Sequence, residues 1–271
     1  MITVLKLGGE LLEDAVSVQA AAEAIVHLAA GGPLVVVHGG GRAIDAELRT
    51  RGETPRFVDG LRVTDAAALD TVVCVLAGRT NTGLVAAIGA AHARAVGLTG
   101  ADGGIGRSAP AGTFETVKGE RVDLGLVGQP DGSDVALLHD LLGLGYIPVV
   151  ASIGVTASGS LLNVNADTLA GHLAAALGAG RLIVAGATAG VLDWQGATIA
   201  RLTPEAIDAM TASGTAHSGM IAKLAACRRA LEGGVTDISI VSGRGGTDFS
   251  TATGTRIEPA TTPAGTGMER I

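Results

Sequence analysis

Short runs of consecutive apolar residues alternate along the chain with longer stretches whose apolar positions recur every three or four residues. Residues 3–7 form a β-rich run. Residues 34–37 (Leu-Val-Val-Val) are apolar without interruption, the pattern of a strand covered on both faces. Further strands are expected at 95–98, 146–151, 161–164, 182–185 and 237–241, the last of these closing the series. Helical spacing occupies 16–30, 42–51, 66–77, 80–92, 133–144, 167–177, 204–212 and 221–231. Thr64-Asp65 is placed to cap the third of these helices. Residues 114–124, turning at Lys118-Gly119-Glu120, read as an antiparallel hairpin. Strands separated by helix-length segments predict βαβ units, hence an α/β fold with a mostly parallel sheet covered on both faces.

Composition sharpens this picture. The 271 residues contain three Phe, one Trp and one Tyr, so the core must be built from Ala, Val, Leu and Ile. A hydrophobic share of 47% excludes a disordered chain, and 42 glycines without a three-residue period exclude collagen and imply many tight turns. The formal charge of −7 argues against a nucleic-acid or anionic-membrane partner. No uninterrupted apolar run of 18 residues occurs and no basic segment leads into a long apolar one, so neither a membrane span nor a signal peptide is expected. Cys74 and Cys227 lie far apart on helical segments and read as buried thiols. The expectation is a cytoplasmic protein of one domain, with a surface loop or loose tail at 258–267.

Candidate chemistry collects where predicted strands end. Lys6-Leu7-Gly8-Gly9 closes the first strand, and His38-Gly39-Gly40-Gly41 closes the second just before a helix. The glycines either merely permit tight βα turns or expose N–H groups to an anion such as phosphate. No P-loop, dinucleotide fingerprint or nucleophile elbow is present, and the six histidines show no metal-ligand spacing. Of 19 basic residues only Lys6, Lys118 and Lys223 are lysine. A compact ammonium serves beside a transferring phosphoryl group where a guanidinium does not. Asn163-Val164-Asn165-Ala166-Asp167 spans a strand-to-helix junction. Asn165 or Asp167 caps the helix there, or else Asn163 holds a substrate and Asp167 the lysines. Arg62 stands just before a helix start, as either a carboxylate fork or an ordinary surface arginine.

Taken together, these segments resemble the amino-acid kinase family, and within it the enzymes acting on N-acetyl-L-glutamate. The likeness rests on Lys6-Leu7-Gly8-Gly9, Val37-His38-Gly39-Gly40-Gly41, Gly60-Leu61-Arg62-Val63-Thr64, Ser152-Ile153-Gly154-Val155, Asn163-Val164-Asn165-Ala166-Asp167 and Gly219-Met220-Ile221-Ala222-Lys223, in family order along nearly the whole chain. It implies an open three-layer α/β/α sandwich, with an acyl-amino-acid lobe over about 1–179 and a nucleotide lobe over about 180–271. It also implies ATP, with Mg²⁺ carried on the nucleotide, and no protein-built metal site. Lys6 and Lys223 would flank the transferring phosphoryl and Asp167 would orient both. Gly40, Gly41, Arg62 and Asn163 would serve the substrate, and Gly8, Gly9, Gly186 and Gly190 the nucleotide phosphates. The sequence departs from the family's usual pattern at Ala185-Gly186-Ala187-Thr188, at Ser218 and at Asn81-Thr82, mostly on the nucleotide side, where residues 214–217 are a further candidate contact. The start directly on the first strand resembles arginine-insensitive homodimeric members, so a homodimer is expected. Alternative readings are a kinase for an N-modified aminoadipate in lysine synthesis and a catalytically silent ligand sensor.

Overall fold

The apolar runs become the strands of one large sheet. The computed structural model describes residues 1–116, 119–213, 218–245 and 248–259. From the N-terminus, β1 (Thr3–Leu7) leads to α1 (Ala15–Ala29), and β2 (Leu34–His38) to α2 (Gly41–Thr50). A hairpin of β3 (Phe57–Val58) and β4 (Leu61–Arg62) precedes α3 (Ala66–Val73), which passes through a π-helical stretch (Cys74–Thr80) into α4 (Asn81–Ala90). Next come β5 (Ala95–Thr99), β6 (Ser108–Pro110), a hairpin of β7 (Thr113–Glu115) and β8 (Arg121–Asp123), and β9 (Val127–Pro130). α5 (Ala136–Gly143), β10 (Ile147–Ala151), β11 (Ile153–Val155), β12 (Leu161–Val164) and α6 (Ala166–Ala176) follow. The chain continues through β13 (Arg181–Gly186), β14 (Arg201–Leu202), α7 (Pro204–Ala212), α8 (Ser218–Glu232), β15 (Asp237–Ser242) and β16 (Gly254–Ile257).

Eight strands form the main sheet in the order β14-β16-β15-β13-β1-β2-β10-β5. All neighbours from β15 to β5 run parallel, while β16 lies antiparallel to β15 and β14 runs parallel to β16. Every residue of β2 and β10 is buried, as uninterrupted apolar runs require. Alternate residues face opposite layers. Val4, Val35, Val37, Leu182 and Val184 join Leu169, Leu173 and Leu224 of α6 and α8. On the other face Leu5, Leu7, Leu34, Val36 and Ile183 join Ile25 of α1 and Leu84 and Ile88 of α4. The result is the expected three-layer sandwich. Strands from the first part of the chain fill one half of the sheet and strands after residue 180 the other, with β13 against β1 at the seam.

Several expectations need correction. β15 is not the final strand, since the four-residue β16, GTRI, pairs along its edge. The strand expected at 161–164 forms as β12, but it belongs to a second sheet, β11-β12-β9-β6, whose other strands are too short or too rich in Gly and Pro to stand out. The helices expected at 66–77 and 80–92 are one continuous helix, Ala66–Ala90, because the π-helical stretch carries the chain past Gly78. That helix is long and apolar enough, by length and composition, to cross a membrane, although its charged Asp70 and Arg79 break any uninterrupted run. In the protein Val72, Leu76, Leu84 and Ile88 are buried in the cores, while Asp70 pairs with Arg51 and Arg79 with Glu47. Cys74 is exposed on this helix and only Cys227 is a buried thiol. The β7–β8 hairpin forms as expected, but its Lys118 lies outside the described residues, as do residues 214–217 and the tail from 260.

Candidate functional site

β1 and β2 are adjacent and in register, Leu7 opposite His38, so the glycine loops that follow them emerge side by side. They touch. A Cβ on Gly9 would lie 2.7 Å from the Gly40 Cα, and one on Gly40 would lie 2.7 Å from a Leu76 methyl. The sequence left open whether these glycines only permit turns, and here they also permit the close contact of two loops. We expect Gly9→Ala to cost about 1–3 kcal/mol, because the obstacle is backbone. Urea unfolding measures this, and a cost under about 0.5 kcal/mol would mean that the loops part freely.

His38 fixes the second loop from below. Its ring is fully buried, with Nδ1 3.0 Å from the Gly39 carbonyl oxygen and Nε2 3.0 Å from Asn81 Nδ2. The Asn81 amide also donates to the Val149 carbonyl at 2.8 Å, tying α4 to β10. An amide donor at Nε2 and a carbonyl at Nδ1 require the neutral ring protonated on Nδ1. Burial lowers the His38 pKa from 6.5 to about 4, against a smaller opposing effect of the Gly39 hydrogen bond. The unfolded chain therefore takes up this proton near pH 6.5 and the folded protein only near 4, so stability falls as pH falls across that interval, by about 3 kcal/mol from this ring. Urea melts at pH 7 and pH 4.5 are expected to show a smaller acid loss in His38→Gln than in the parent, and an equal loss would assign the acid sensitivity elsewhere.

The charged centre joins three distant segments. Lys6, near the end of β1, places Nζ 2.9 Å from Asp167 Oδ1. Lys223 of α8 places its Nζ 3.5 Å from Oδ2 of the same carboxylate. Asp167 is buried in the first turn of α6, but it does not cap that helix. Asn165 Oδ1 accepts from the N–H groups of Asp167 and Thr168 at 2.8 and 3.1 Å, leaving the Asp167 carboxylate to the lysines. The close approach of α6 and α8 depends on Gly171, where a Cβ would strike the backbone of Ala226. Burial pushes the Asp167 carboxyl upward, but Lys6 and then Lys223 outweigh it and hold the pKa below its ordinary value. Cys227, one turn beyond Lys223, is buried and its thiol is pushed up by desolvation and by Asp167, so it is inert.

Arg62, on β4 of the first hairpin, completes the opposite wall. Its Nη2 meets Asp45 Oδ1 at 2.6 Å and donates to the Gly41 carbonyl at 3.2 Å, and its guanidinium stands 4.7 Å from the Phe57 ring centroid. Nη1 is buried without a hydrogen-bond partner. Asn163 on β12 donates from Nδ2 to Thr64 Oγ1 at 3.0 Å, and that hydroxyl donates to the Arg62 carbonyl. A cavity of about 200 Å³ is lined by Lys6, Gly9, Gly40, Arg62, Asn163 and Asp167, among others.

Of the residues singled out from sequence, Gly41 also lines this cavity. Gly186 ends β13 beside it, where an added Cβ would lie 3.7 Å from the Lys223 side chain. Gly8 precedes Gly9 without lining the cavity, and its N–H donates to the Ala185 carbonyl at 2.9 Å. Gly190 is not brought to this group by any contact. Its φ of 140° and its close packing on Thr198 and Thr255 already account for a glycine there. Sequence reasoning overlooked Asp45, Phe57, Thr64 as the partner of Asn163, His38 as a loop anchor, and Glu10. Glu10 had a signal in its position directly after Gly8-Gly9. Among the described residues no group of three or more His, Cys, Asp or Glu side chains could hold a metal ion.

A mostly parallel sheet with two glycine loops and a lysine-flanked aspartate at its carboxyl edge defines an α/β/α protein whose crevice suits an anionic ligand. The amino acid kinase family model matches residues 1–242, and the chain belongs to that family. It is 46% identical over 218 residues to an acetylglutamate kinase of Acidiphilium cryptum, covering 78% of this chain and 72% of that protein. An acetylglutamate kinase of Rhizorhabdus wittichii is 44% identical over 250 residues, 89% of this chain and 82% of that one. Among solved structures, smu.665 from Streptococcus mutans superposes with a TM-score of 0.80 at 26% identity, covering 95% of this chain and 98% of that one.

Proposed function

We propose that this protein is an acetylglutamate kinase, transferring the γ-phosphoryl group of MgATP to the side-chain carboxylate of N-acetyl-L-glutamate in arginine biosynthesis. The observation that carries the reading is the pair of lysines on one buried carboxylate, opening on a cavity whose far wall holds an arginine with an unpartnered Nη1. The likeness to acetylglutamate kinases supports the choice of acceptor.

In this reading Arg62 takes a substrate carboxylate through Nη1, its orientation fixed by Asp45, Phe57 and the Gly41 carbonyl. Asn163 and the Gly40 and Gly41 loop position the rest of the acyl amino acid. A side-chain carboxylate oxygen attacks the γ-phosphorus, the bond to the β,γ-bridging oxygen breaks, and that oxygen leaves with the electron pair on ADP. The product is an acyl phosphate. A carboxylate needs no base, so the residues act by position and charge. Lys6 and Lys223 neutralise the negative charge spread over the transferring group, with Asp167 holding both ammonium groups in place. Gly8, Gly9 and Gly186 serve the nucleotide phosphates through their backbone, and Gly190 belongs to the same lobe. Mg²⁺ arrives on the nucleotide and neutralises phosphate charge. The division of the sheet between β13 and β1 supports an acyl-amino-acid lobe over about 1–179 and a nucleotide lobe from about 180.

We also infer a cytoplasmic location and a homodimer, the homodimer supported by the many small exposed residues of the Ala66–Ala90 helix, Gly78, Gly83, Ala86 and Gly89 among them. The acceptor is tested by trapping the acyl phosphate with hydroxylamine, using N-acetylglutamate, N-acetylaminoadipate and glutamate in parallel with MgATP. Product with N-acetylglutamate at least about tenfold above the others is expected, whereas one methylene alone is worth about 1–3 kcal/mol in such a pocket. Preference for the longer acid would move the protein to lysine synthesis. No product from any acid would point to a silent sensor.

A further inference from the structure

Glu10 has no part in the mechanism above, yet its carboxylate reaches the glycine turns at the ends of β1 and β13. It folds back over Gly8 so closely that a Cβ there would lie 2.5 Å from both carboxylate oxygens. Its Oε1 accepts from the Ala187 N–H at 3.0 Å, just beyond the end of β13. The same oxygen would lie 3.2 Å from a Cβ on Gly186, whose other flank is the Lys223 side chain. A lysine and a carboxylate thus meet around Gly186, the glycine that ends β13. A site built only to attract a triphosphate would not place a second acid there, since a like charge at such range repels the phosphates. A cation on the phosphates reverses the sign of that interaction.

We propose that Glu10 is a specificity residue of the nucleotide site, one that discriminates against metal-free nucleoside triphosphate and favours the form carrying a divalent cation. The inference rests on the nucleotide reading of this crevice. It makes the cation a requirement for binding as well as for chemistry, imposed by a residue that stands in no cluster of metal ligands among the described residues. It also separates two functions of one side chain. The hydrogen bond to Ala187 needs only an oxygen acceptor, which glutamine supplies, whereas discrimination by charge needs the carboxylate.

The test is calorimetric titration of ATP into the intact chain, once with EDTA and once with excess MgCl₂, for the parent, Glu10→Gln and Glu10→Ala. In the parent, MgATP is expected to bind more tightly than ATP. In Glu10→Gln the ratio of the two dissociation constants is expected to fall about tenfold, chiefly by tighter binding of metal-free ATP. Glu10→Ala should shift the ratio in the same direction. An unchanged ratio in Glu10→Gln, with MgATP still bound, would overturn the proposal and leave Glu10 as a cap for Ala187. Failure of the parent to bind either form would overturn the nucleotide reading, and this inference with it.

Discussion

Asp167→Asn is expected to lower kcat by about 10³-fold and to destabilise the fold by about 3–5 kcal/mol. Both effects have one origin. The Lys6 ammonium is 5% exposed and meets the Asp167 carboxylate at 2.9 Å, while Lys223 shares the other oxygen. An asparagine of the same shape leaves Lys6 buried without a counter-charge, and the remaining routes are to lose its proton or to swing out of the crevice. Either way the phosphoryl group loses a fixed positive neighbour. The helix itself should survive, because Asn165 rather than Asp167 caps it. The pH dependence has a definite sign. The folded pKa of Asp167 lies below the unfolded value of 3.8, so its contribution is intact above pH 3.8 and is lost as the pH falls through the folded value. Urea unfolding at neutral pH and steady-state kinetics check the two effects. A variant with parental stability would show that the lysines need no partner.

Arg62→Lys is expected to raise KM for N-acetylglutamate by about 10- to 100-fold and to leave KM for MgATP within about twofold. Arg62 already spends one nitrogen on Asp45 and Gly41 and its face on Phe57, and this leaves Nη1 as the group free to face a ligand. A lysine can satisfy Asp45 or reach the substrate, but its single ammonium has no planar fork with which to do both. Steady-state kinetics with each substrate varied in turn separates the two sides of the site. A rise in KM for MgATP of similar size would place Arg62 on the nucleotide instead.

How far the sequence foretold this site depends on what each residue's neighbours revealed. β2 was plain because four apolar residues in a row fit a doubly covered strand; Lys6 and Lys223 stood out because lysine is so rare in this chain, and Asp167 because it ends Asn-Val-Asn-Ala-Asp at a strand-to-helix junction. Their meeting on one carboxylate is a property of the sheet order and of Gly171, which no local pattern reports. Asp45 was hidden because an acid on a polar helix reads as a solvated face, although α2 turns it onto Arg62. The choice between Asn165 and Asp167 as helix cap was open in the sequence and is settled by hydrogen bonds to Asn165 Oδ1. β16 escaped notice because Gly-Thr-Arg-Ile has neither an apolar run nor a long alternation, and the pairing with β15 determines it.

The central claim is that the two lysines on Asp167 stabilise a transferring phosphoryl group. The most direct measurement is acyl-phosphate formation by Lys6→Ala and Lys223→Ala, followed as the hydroxamate with N-acetylglutamate and MgATP both saturating. The account predicts that kcat falls by at least about 10²-fold in each variant while KM for N-acetylglutamate moves less than about threefold. Either variant retaining more than about a tenth of the parental kcat would contradict it.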